Sequence, residues 1–595
     1  MMRSLLILAA LLGLSAPALA QTRPLPQGEI RANGDITFGN TLKLGKREGN
    51  KTVITPDTLR ILGPGSTGPA DDFSVTLPDG VSRSLTTAIT ALRGDFSTLA
   101  EFKAARAPFG RNFATVGGCA AAGDGGAARY RRLTTAPTLP AKLWQVQIAD
   151  GSWWEMMGDD VDVRQLCAMG GPWSTPIASL PNDYLKLQAA IDYVGLSGGR
   201  VRLPGGLRFR TDTGLVARVN WQTTPAVTGQ GVHFKDNSTF ELVSSGGGAI
   251  AAGASMNAVL TIRYNDTLAN VGPFLTKVEG WTIDGNGLAA NGIYSDFTMH
   301  INVTRNRVSG ATGAGLLFTG YGVARIWGNV WSGYRCISLQ GGGGDSWIGP
   351  NDFFPNANGA GVSVGKFGGN LTIENGVFNG EGKAGINGVD IYVDGDATDS
   401  VRHVKIRGNE FSGMRYAIRA AKSSTVRNIY GITISENHTT PAAGGAVHTG
   451  ILAHLTGVDE AIIVNNMGNS SRQMEAADSM VLAFDVTNLQ IIGNRAGNYL
   501  GPWLYFNNVR RSMVALNNVQ DVGRAGASGV IVDLDNASEG NDFLDNTIRQ
   551  TSTSFAQNGF FERTGSTGNY GRNRLIGIAT PSVLSSGSTS NFTVR

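Results

Sequence analysis

Charged residues and cysteines are scarce in this chain of 595 residues. Only 16% of the residues are charged, and 50 Lys and Arg against 46 Asp and Glu leave a net charge of +4. Such a small positive excess argues against nucleic acid as a partner. The three cysteines are too few for a disulfide framework, and the sequence has no C-x-x-C pair for a structural zinc site. Beyond the N-terminus no apolar run reaches about 18 residues, so no membrane span is predicted.

The N-terminus has the three parts of a secretory signal peptide. Arg3 supplies the positive charge, Leu5–Leu14 is a short apolar core, and Ala18-Leu19-Ala20 fits the small-x-small cleavage rule. We therefore predict a signal peptide over residues 1–20, a mature chain that begins near residue 21, and a secreted, periplasmic or cell-surface protein. A phage-derived chain would instead be found in a virion tail.

The three cysteines call for different interpretations. Export permits Cys119 and Cys167 to pair, although the sequence alone does not decide whether they do. Cys336 lies in an alternating stretch, 335–339, and is interpreted as a small packed thiol rather than a nucleophile.

Glycine is abundant, with 82 residues, or about one in seven. The glycines show no three-residue period, which excludes collagen. From residue 280 onward a short pattern recurs, an apolar residue followed by any two residues and then Asn, and most successive asparagines are 20 to 29 residues apart. One step, from Asn375 to Asn409, is 34 residues long. The pattern ends at Asn286, Asn306, Asn329, Asn351, Asn409, Asn437, Asn466, Asn494, Asn517, Asn546 and Asn573, and Asn375 fits with a slipped apolar partner, Ile373.

Short alternating strands lie inside each step, often opened by Gly, as in 388–393 and 529–532. The steps are too short for helices between the strands, so they predict an all-β, right-handed, single-stranded parallel β-helix of about 12 or more rungs. A β-sandwich would have no fixed period, and a leucine-rich repeat would need a Leu pattern that is absent. Asn suits the corners because it tolerates the left-handed conformation and can hydrogen-bond to its equivalent in the next rung.

A helix is predicted over residues 181–194, where Asn182 or Asp183 can cap the start and Leu187, Ala190, Ile191 and Val194 form one apolar face. The bare sheet edge of a β-helix must be covered, so we interpret this segment as an N-terminal capping helix that precedes the first strand, 200–204.

Residues 187–192 (LQAAID) and 198–206 (GGRVRLPGG) resemble the N-terminal segment of the pectate-lyase-like superfamily. Residues 161–170 are similar to the preceding strand of phage tailspikes, and 123–130 and 151–155 resemble the small β segment of those proteins. The resemblance implies the parallel β-helix fold but not one chemistry, because the superfamily includes lyases, hydrolases, epimerases and binding proteins. The usual Gly-Asp-Gly before the helix is replaced by 170–173.

The predicted layout is a signal peptide (1–20), an N-terminal β/helical region with an oligomerisation segment (21–107), a small β segment (108–160), the β-helix with its cap (161–580) and a C-terminal tail (581–595). In residues 84–103 the positions Leu85, Ile89, Leu92, Phe96 and Leu99 step by 4, 3, 4 and 3. Because tailspikes are trimers, a short trimeric coiled coil and hence a homotrimer is one interpretation. The favoured one is an amphipathic helix that packs on its own domain, either continuous or split at 94–95.

The long step draws attention because it holds several carboxylates. If Val389 and Ile391 point inward, then Asp390, Tyr392 and Asp394 point outward, and a partner for Asp390 must come from a neighbouring rung. Arg419 and His454 are the outward candidates on the next two rungs. The alternative is that these carboxylates are solvated or support turns. The predicted catalytic set is Asp390, Asp394, Asp396, Glu374 and Arg419, and the predicted substrate-binding set is Tyr392, His454 and Tyr505.

The sequence lacks the paired-Asp pattern of polygalacturonases, the Arg-x-Pro-x-x-Arg of classical pectate lyases and the Asp-Pro-His-Glu of alginate epimerases. We predict an exported, tailspike-like polysaccharide depolymerase, a hydrolase or a lyase, whose partner is a linear polysaccharide. The alternative is a non-catalytic receptor-binding or adhesive rod. No metal site and no cofactor are predicted, with Ca²⁺ left as an option for a lyase.

Overall fold

A computed structural model describes two compact units, Met1–Gly158 with Asp162–Ala168, and Asp159–Val161 with Met169–Arg595. The described residues are 46–47, 50–51, 74–76, 82–84, 94–106, 111–197, 199–219, 240–244, 247–264, 275–296, 300–319, 323–341, 344–367, 369–380, 383, 385–393, 400–422, 429–440, 451–469, 479–499, 501–523, 529–551, 555 and 558–594. The predicted signal peptide lies outside them, as do Leu85, Ile89 and Leu92, so the signal peptide and the homotrimer stay predictions. No helix within the described ranges is long and apolar enough to cross a membrane.

The first unit contains a five-stranded sheet in the order β5-β6-β7-β9-β8 and two separate two-stranded pairs. Its elements are β1 (Lys46–Arg47), β2 (Asn50–Lys51), β3 (Ser74–Thr76), β4 (Ser82–Ser84), β5 (Asp95–Phe96), α1 (Leu99–Ala104), β6 (Phe113–Val116), β7 (Ala128–Arg132), β8 (Gln145–Gln147), β9 (Trp153–Met157) and a 3-10 helix, Val163–Leu166. Phe102 of α1 is fully buried between Phe96, Tyr130 and Trp154. A disulfide joins Cys119 to Cys167.

The continuous form of the helix predicted over 84–103 is wrong, whereas the break at 94–95 agrees with its split form. The chain turns at Gly94, whose φ of +73° favours glycine, and Phe96 lies in β5 rather than in a helix. Among the described residues 94–106, the helix is confined to Leu99–Ala104, with Thr98 accepting a hydrogen bond from the Glu101 amide as its N-cap.

The second unit is formed almost entirely by strands. Its elements are β10 (Asp160–Asp162, which reaches into the first unit), β11 (Gly171–Pro172), a 3-10 helix (Ile177–Ser179), α2 (Tyr184–Ser197), β12 (Gly199–Leu203), β13 (Leu207–Thr211), β14 (Leu215–Val219), β15 (Phe240–Ser244), β16 (Ala249–Ala252), β17 (Met256–Tyr264), β18 (Leu275–Glu279), β19 (Thr282–Asp284), β20 (Ala289–Asp296), β21 (His300–Thr304), β22 (Arg307–Phe318), β23 (Val323–Trp327), β24 (Val330–Leu339), β25 (Ser346–Ile348), β26 (Asp352–Val364), β27 (Leu371–Glu374), β28 (Val377–Asn379), β29 (Asn387–Val393), β30 (Val401–Arg407), β31 (Glu410–Ser412), β32 (Tyr416–Lys422), β33 (Ile429–Ser435), β34 (His438–Thr440), β35 (Ile451–Thr456), β36 (Val458–Val464), β37 (Met467–Asn469), β38 (Val481–Phe484), β39 (Thr487–Ile492), β40 (Arg495–Gly497), β41 (Leu504–Asn507), β42 (Met513–Ala515), β43 (Asn518–Gln520), β44 (Val530–Asp535), β45 (Asp542–Arg549), β46 (Asn558–Glu562), β47 (Tyr570–Ile576), β48 (Thr580–Val583) and β49 (Asn591–Val594).

These strands pair in parallel with the strands one turn earlier and one turn later, which gives the predicted parallel β-helix. Sheet A stacks β12, β15, β18, β21, β23, β25, β27, β30, β33, β36, β39, β42, β45, β47 and β49. Sheet B stacks β13, β16, β19, β22, β24, β26, β28, β31, β34, β37, β40, β43 and the ends of β45 and β47. Sheet C stacks β14, β17, β20, β22, β24, β26, β29, β32, β35, β38, β41, β44, β46 and β48.

The core lies inside the coil because alternate side chains of each strand point inward. Equivalent inward positions of sheet C are all apolar and almost completely buried, and each such side chain removed from water contributes about 1.5–3 kcal/mol. In chain order they are Ile293, Leu316, Ile337, Val362, Val389, Ile418, Ala453, Val481, Leu504, Val532 and Phe560. Phe353, Phe378 and Phe411 stack at the equivalent place in sheet B, with ring centroids 4.3 and 4.6 Å apart. Cys336 is buried and unpaired.

A buried asparagine ladder follows the corner between sheets A and B. Each Asn side-chain oxygen accepts the backbone N–H of the preceding Asn, as from Asn437 to Asn466 at 2.9 Å, and the amide donates to a carbonyl one coil earlier. Two assignments from the sequence were wrong. Gly376, not Asn375, occupies the ladder position, and its N–H donates to Asn409; Asn375 is one residue earlier with φ +56°. Asn286 is outside the ladder, because Ile283 pairs with Val308 and the position before Asn306 belongs to Trp281.

Helix α2 packs against β12 and β14 with the predicted apolar face buried. The Gln188 amide donates to the Val216 carbonyl, and its oxygen accepts the Val216 N–H, both at 2.8 Å. One side chain thereby satisfies both backbone groups of a residue on β14, the first strand of sheet C in the described part of the chain.

Candidate functional site

A polar cleft of about 710 Å³ lies on the outer side of sheet C, across β24, β26, β29, β32 and β35. The strands bring together residues that are more than a hundred positions apart in the sequence. The cleft is lined by Tyr334, Arg335, Gln340, Asn358, Ser363, Gly365, Lys366, Gly385, Asn387, Asp390, Tyr392, Arg415, Tyr416, Arg419 and His454.

Asp390, Arg419 and His454 occupy one outward column of the cleft. Asp390 pairs in register with Arg419, and Arg419 with His454, so each lies one strand, about 4.8 Å, from the next. The orientation follows from the alternation, because Val389 and Ile391 beside Asp390 are both fully buried. Arg419 is therefore flanked by an acid on one side and an imidazole on the other.

The described lining is strongly cationic. It carries Arg335, Lys366, Arg415 and Arg419 against the single carboxylate of Asp390. Three of these guanidinium groups lie over tyrosine rings of the cleft, with Arg415 over Tyr416 at 5.0 Å, Arg419 over Tyr392 at 5.5 Å and Arg335 over Tyr334 at 5.7 Å. Cation–π contact fixes the planes of these groups without neutralising their charge. The cleft therefore favours an anionic ligand.

Asp390 is held in an unfavourable environment for a carboxylate. Its side chain is 18% exposed, and Oδ1 is 3.5 Å from Arg419 Nη1 but makes no hydrogen bond. Burial raises the pKa of Asp390 above its ordinary value, although the positive charge of Arg419, a hydrogen bond with the Asn387 side chain and the positive charge of Arg335 act in the opposite direction.

His454 is neutral at physiological pH. Burial, followed by the positive charges of Arg419 and Arg415, lowers its pKa to about 4. Its Nδ1 is buried and has no hydrogen-bond partner, and its ring lies 4.8 Å from that of Tyr416. A neutral imidazole keeps a lone pair that can accept a proton.

The cleft also concentrates unsatisfied polar atoms. Asn387 Oδ1, Asp390 Oδ1 and His454 Nδ1 are all buried without a hydrogen-bond partner. Such atoms each cost about 1–3 kcal/mol and are rare in folded proteins. Three of them lie in one cleft, where they are available to a ligand or to water.

The cleft unites four of the predicted site residues, Asp390, Arg419, Tyr392 and His454, whereas two others lie elsewhere. Glu374 is on sheet A, where it accepts a hydrogen bond from Trp347 Nε1 and forms an ion pair with Arg407; that partnership lowers its pKa, against the effect of burial. Tyr505 lies on β41, two strands beyond the cleft. Asp394 and Asp396 fall outside the described residues.

Several lining residues escaped the sequence analysis, notably Arg335, Lys366, Arg415 and Tyr416. They lie on rungs outside the long step between Asn375 and Asn409. Two features of the sequence indicate these residues. Arg415 and Arg419 are four residues apart at the two ends of an outward strand face, and Tyr334 and Arg335 are adjacent. Within the described ranges no group of three or more His, Cys, Asp or Glu side chains could hold a metal ion.

No family model and no curated protein matches this sequence. Solved structures do match its fold. A mutant tailspike protein of E. coli bacteriophage HK620, solved in complex with a pentasaccharide, aligns with a TM-score of 0.51 at 12% identity, covering 76% of this chain and 82% of that one. The tailspike of Acinetobacter baumannii phage AM24 aligns at 0.46 and 15% identity over 76% and 68%. The A-module of an Azotobacter vinelandii mannuronan C-5 epimerase aligns at 0.43 and 14% identity over 71% and 99%. With its own strand pairing, the chain is a parallel β-helix protein that shares its fold with phage tailspikes.

Proposed function

We propose that the chain binds a linear anionic polysaccharide in the cleft of sheet C and cleaves it by β-elimination. The observation that carries the proposal is Arg419, which lies between Asp390 and His454 in a cleft with four cationic side chains and one described carboxylate. The HK620 tailspike mutant, which shares the fold, was solved with a pentasaccharide, and this agrees with a carbohydrate ligand.

In the proposed reaction Arg419 and Arg415 bind the carboxylate of a uronic acid sugar. His454 accepts the proton from the carbon next to that carboxylate, the bond from the adjoining carbon to the glycosidic oxygen breaks, and a carbon–carbon double bond forms. The leaving oxygen takes a proton from the Tyr416 hydroxyl. The arginines, rather than a bound Ca²⁺, counter the negative charge that develops on the carboxylate.

Substrate binding would itself prepare His454. The two arginines that depress its pKa become paired with the sugar carboxylate, so the pKa of His454 rises from about 4 toward the range in which a base is effective. Asp390 holds Arg419 through its ion pair, and the unpartnered Oδ1 can accept a hydrogen bond from a sugar hydroxyl. We assign Asp390 a positioning role.

Elimination is preferred to hydrolysis because glycoside hydrolysis ordinarily uses two carboxyl groups on either side of the bond. Asp390 is the one carboxylate among the described residues that line the cleft. The alternative function, a non-catalytic adhesive protein, would use the same cleft for binding alone.

The test is incubation of the purified protein with alginate, polygalacturonate, hyaluronate and neutral dextran. We expect the ultraviolet absorbance of unsaturated uronate to appear with an acidic polymer. His454→Asn should abolish it, whereas His438→Asn, on sheet B, should not. New reducing ends without that absorbance would indicate hydrolysis, and retention without cleavage would indicate an adhesin; either result contradicts elimination.

We also propose that residues 1–20 direct export, which would bring the protein to the polymer outside the cell. N-terminal sequencing of the mature protein from the secreted or periplasmic fraction should begin near residue 21. An intact N-terminus in the cytoplasmic fraction would contradict this proposal.

A further inference from the structure

We infer that an aromatic track on sheet C, formed by Tyr416, His454, Phe484 and Tyr505, binds the polysaccharide beyond the cleft. The inference rests on the proposed function for the class of ligand but not for the reaction. It assigns a role to Phe484, which no part of the proposed mechanism uses.

The track has one ring on each of four successive strands, β32, β35, β38 and β41. Ring centroids are 4.8 Å apart from Tyr416 to His454, 5.5 Å from His454 to Phe484 and 5.5 Å from Phe484 to Tyr505. The four strands span about 14 Å along the coil. All four side chains are partly exposed, so they belong to the outer surface of the sheet and not to the core.

The track continues the cleft without a break. Tyr416 and His454 line the cleft, whereas Phe484 and Tyr505 lie past it on the C-terminal side. A chain bound along the cleft therefore reaches Phe484 next if it follows the coil axis. Cleft and track together cover seven strands of sheet C, or about 29 Å.

The chemistry of the surface changes along this path. The cleft is cationic. In the middle of the track, by contrast, His454 pairs in register with Leu482 and Phe484 with Thr456, and neither Leu482 nor Thr456 carries a charge. Aromatic rings offer large, rigid apolar faces, and the C–H faces of sugar rings can lie against them. The track is thus suited to the apolar faces of sugars, while the cleft holds their carboxylates.

Tyr505 is fixed in position at the far end. Its hydroxyl donates to Asp535 Oδ2 at 2.9 Å and accepts from Asn507 Nδ2 at 3.4 Å. Because its polar end is already satisfied within the protein, the ring is what it offers to a ligand. A ring held in advance loses little conformational freedom on binding.

The competing explanation is that the rings merely pack the rungs together. Phe484→Leu separates the two, because leucine retains apolar packing but not the flat ring face. Trp327→Leu is the matched control, because Trp327 and Trp347 form a similar tilted pair, 5.8 Å apart, on sheet A. Retention in affinity gels that contain alginate, polygalacturonate, hyaluronate or dextran would be measured at low and high salt, with circular dichroism to check folding.

We expect Phe484→Leu to weaken retention of an acidic polymer roughly two- to tenfold, and equally at both salt concentrations, because stacking is not screened. Trp327→Leu should bind as the wild type does. Tyr505→Leu should reproduce the effect, and it provides a second test if Phe484→Leu does not fold.

Unchanged retention by the folded variants, or an equal loss in Trp327→Leu, would overturn the track. Retention of none of the four polymers by the wild-type protein would overturn it as well. If the wild-type protein cleaves none of the polymers and Phe484→Leu still weakens retention, the proposed lyase is refuted and the track is supported. If the wild-type protein cleaves a polymer and Phe484→Leu leaves its retention unchanged, the track alone is refuted.

Discussion

Replacement of Asp390 by asparagine should remove most of the activity and yet leave the fold at least as stable as before. The two parts of this prediction have separate causes. In the proposed reaction, activity depends on the ion pair that holds Arg419, whereas stability depends on the burial of the carboxylate, whose Oδ1 has no hydrogen bond. A site residue held in an unfavourable environment for the sake of function gives this combination.

The magnitudes follow from the contacts. The unsatisfied buried oxygen costs about 1–3 kcal/mol. The ion pair returns at most about 1 kcal/mol, because Arg419 is 31% exposed and screened by solvent. Asparagine keeps a polar atom at this position but carries no charge, so the Asp390→Asn variant would lose the ion pair and most of the desolvation cost, and its free energy of unfolding should be about 0–3 kcal/mol higher than that of the wild type. Loss of the support for Arg419 should lower kcat/KM about a hundredfold, as expected when a binding group shifts by about 1 Å.

The pH dependence gives a further check. Burial raises the pKa of Asp390 in the folded protein above its value in the unfolded chain. Asp390 therefore does not destabilise the fold at a pH where it is protonated in both the folded and the unfolded protein, and it destabilises the fold fully above its folded pKa. The stability gain of Asp390→Asn should therefore be smaller near about pH 3 than near about pH 7. Urea unfolding at the two pH values, followed alongside the cleavage assay, measures both parts.

Asp533 is the matched control on the same outward column of sheet C. It is buried, but Arg563 satisfies both of its oxygens, at 2.9 and 2.7 Å. Asp533→Asn should therefore destabilise the protein, by about 1–3 kcal/mol. If Asp390→Asn destabilised the fold to the same extent, Asp390 would be a structural residue and the reasoning would be refuted.

Two further predictions concern the fold. Asn466→Ala should destabilise the second unit by about 2–6 kcal/mol, because the Asn437 N–H and the Ile434 carbonyl would stay buried without their hydrogen-bond partner. Asn518 is exposed, so Asn518→Ala is the control, and equal urea midpoints for the two variants would contradict the ladder's role. The Cys119–Cys167 disulfide closes a separation of 48 residues, so its reduction should lower the stability of the first unit by about 4 kcal/mol, the entropy of the closed loop. Unchanged protease resistance of residues 111–168 after reduction would contradict this prediction.

The fold could be predicted because every coil repeats the same sequence pattern. Apolar residues at alternate positions and a corner asparagine recur from Asn306 to Asn573, so errors at single positions did not change the conclusion. The errors themselves have a local cause. Asn375 is adjacent to the ladder position that Gly376 occupies, and a one-residue shift in a turn leaves the strand pattern on either side intact.

The candidate site could be predicted only in part. Alternation alone placed Asp390, Tyr392, Arg419 and His454 on the outer face, and the structure agrees. Alternation cannot say which rungs a cleft spans or which outward residues share it. Glu374 satisfied the same pattern and lies on another sheet, paired with Arg407.

The sequence by itself determined the coil, the inward and outward faces and the corner residues, because these depend on the spacing of neighbours along one chain. Tertiary structure decided the register between coils, and with it the column that places Arg419 between Asp390 and His454. Loop lengths between strands vary, so sequence separation does not reveal that register. Burial also came only with the fold, and burial sets the pKa values of Asp390 and His454 and leaves their polar atoms unpaired.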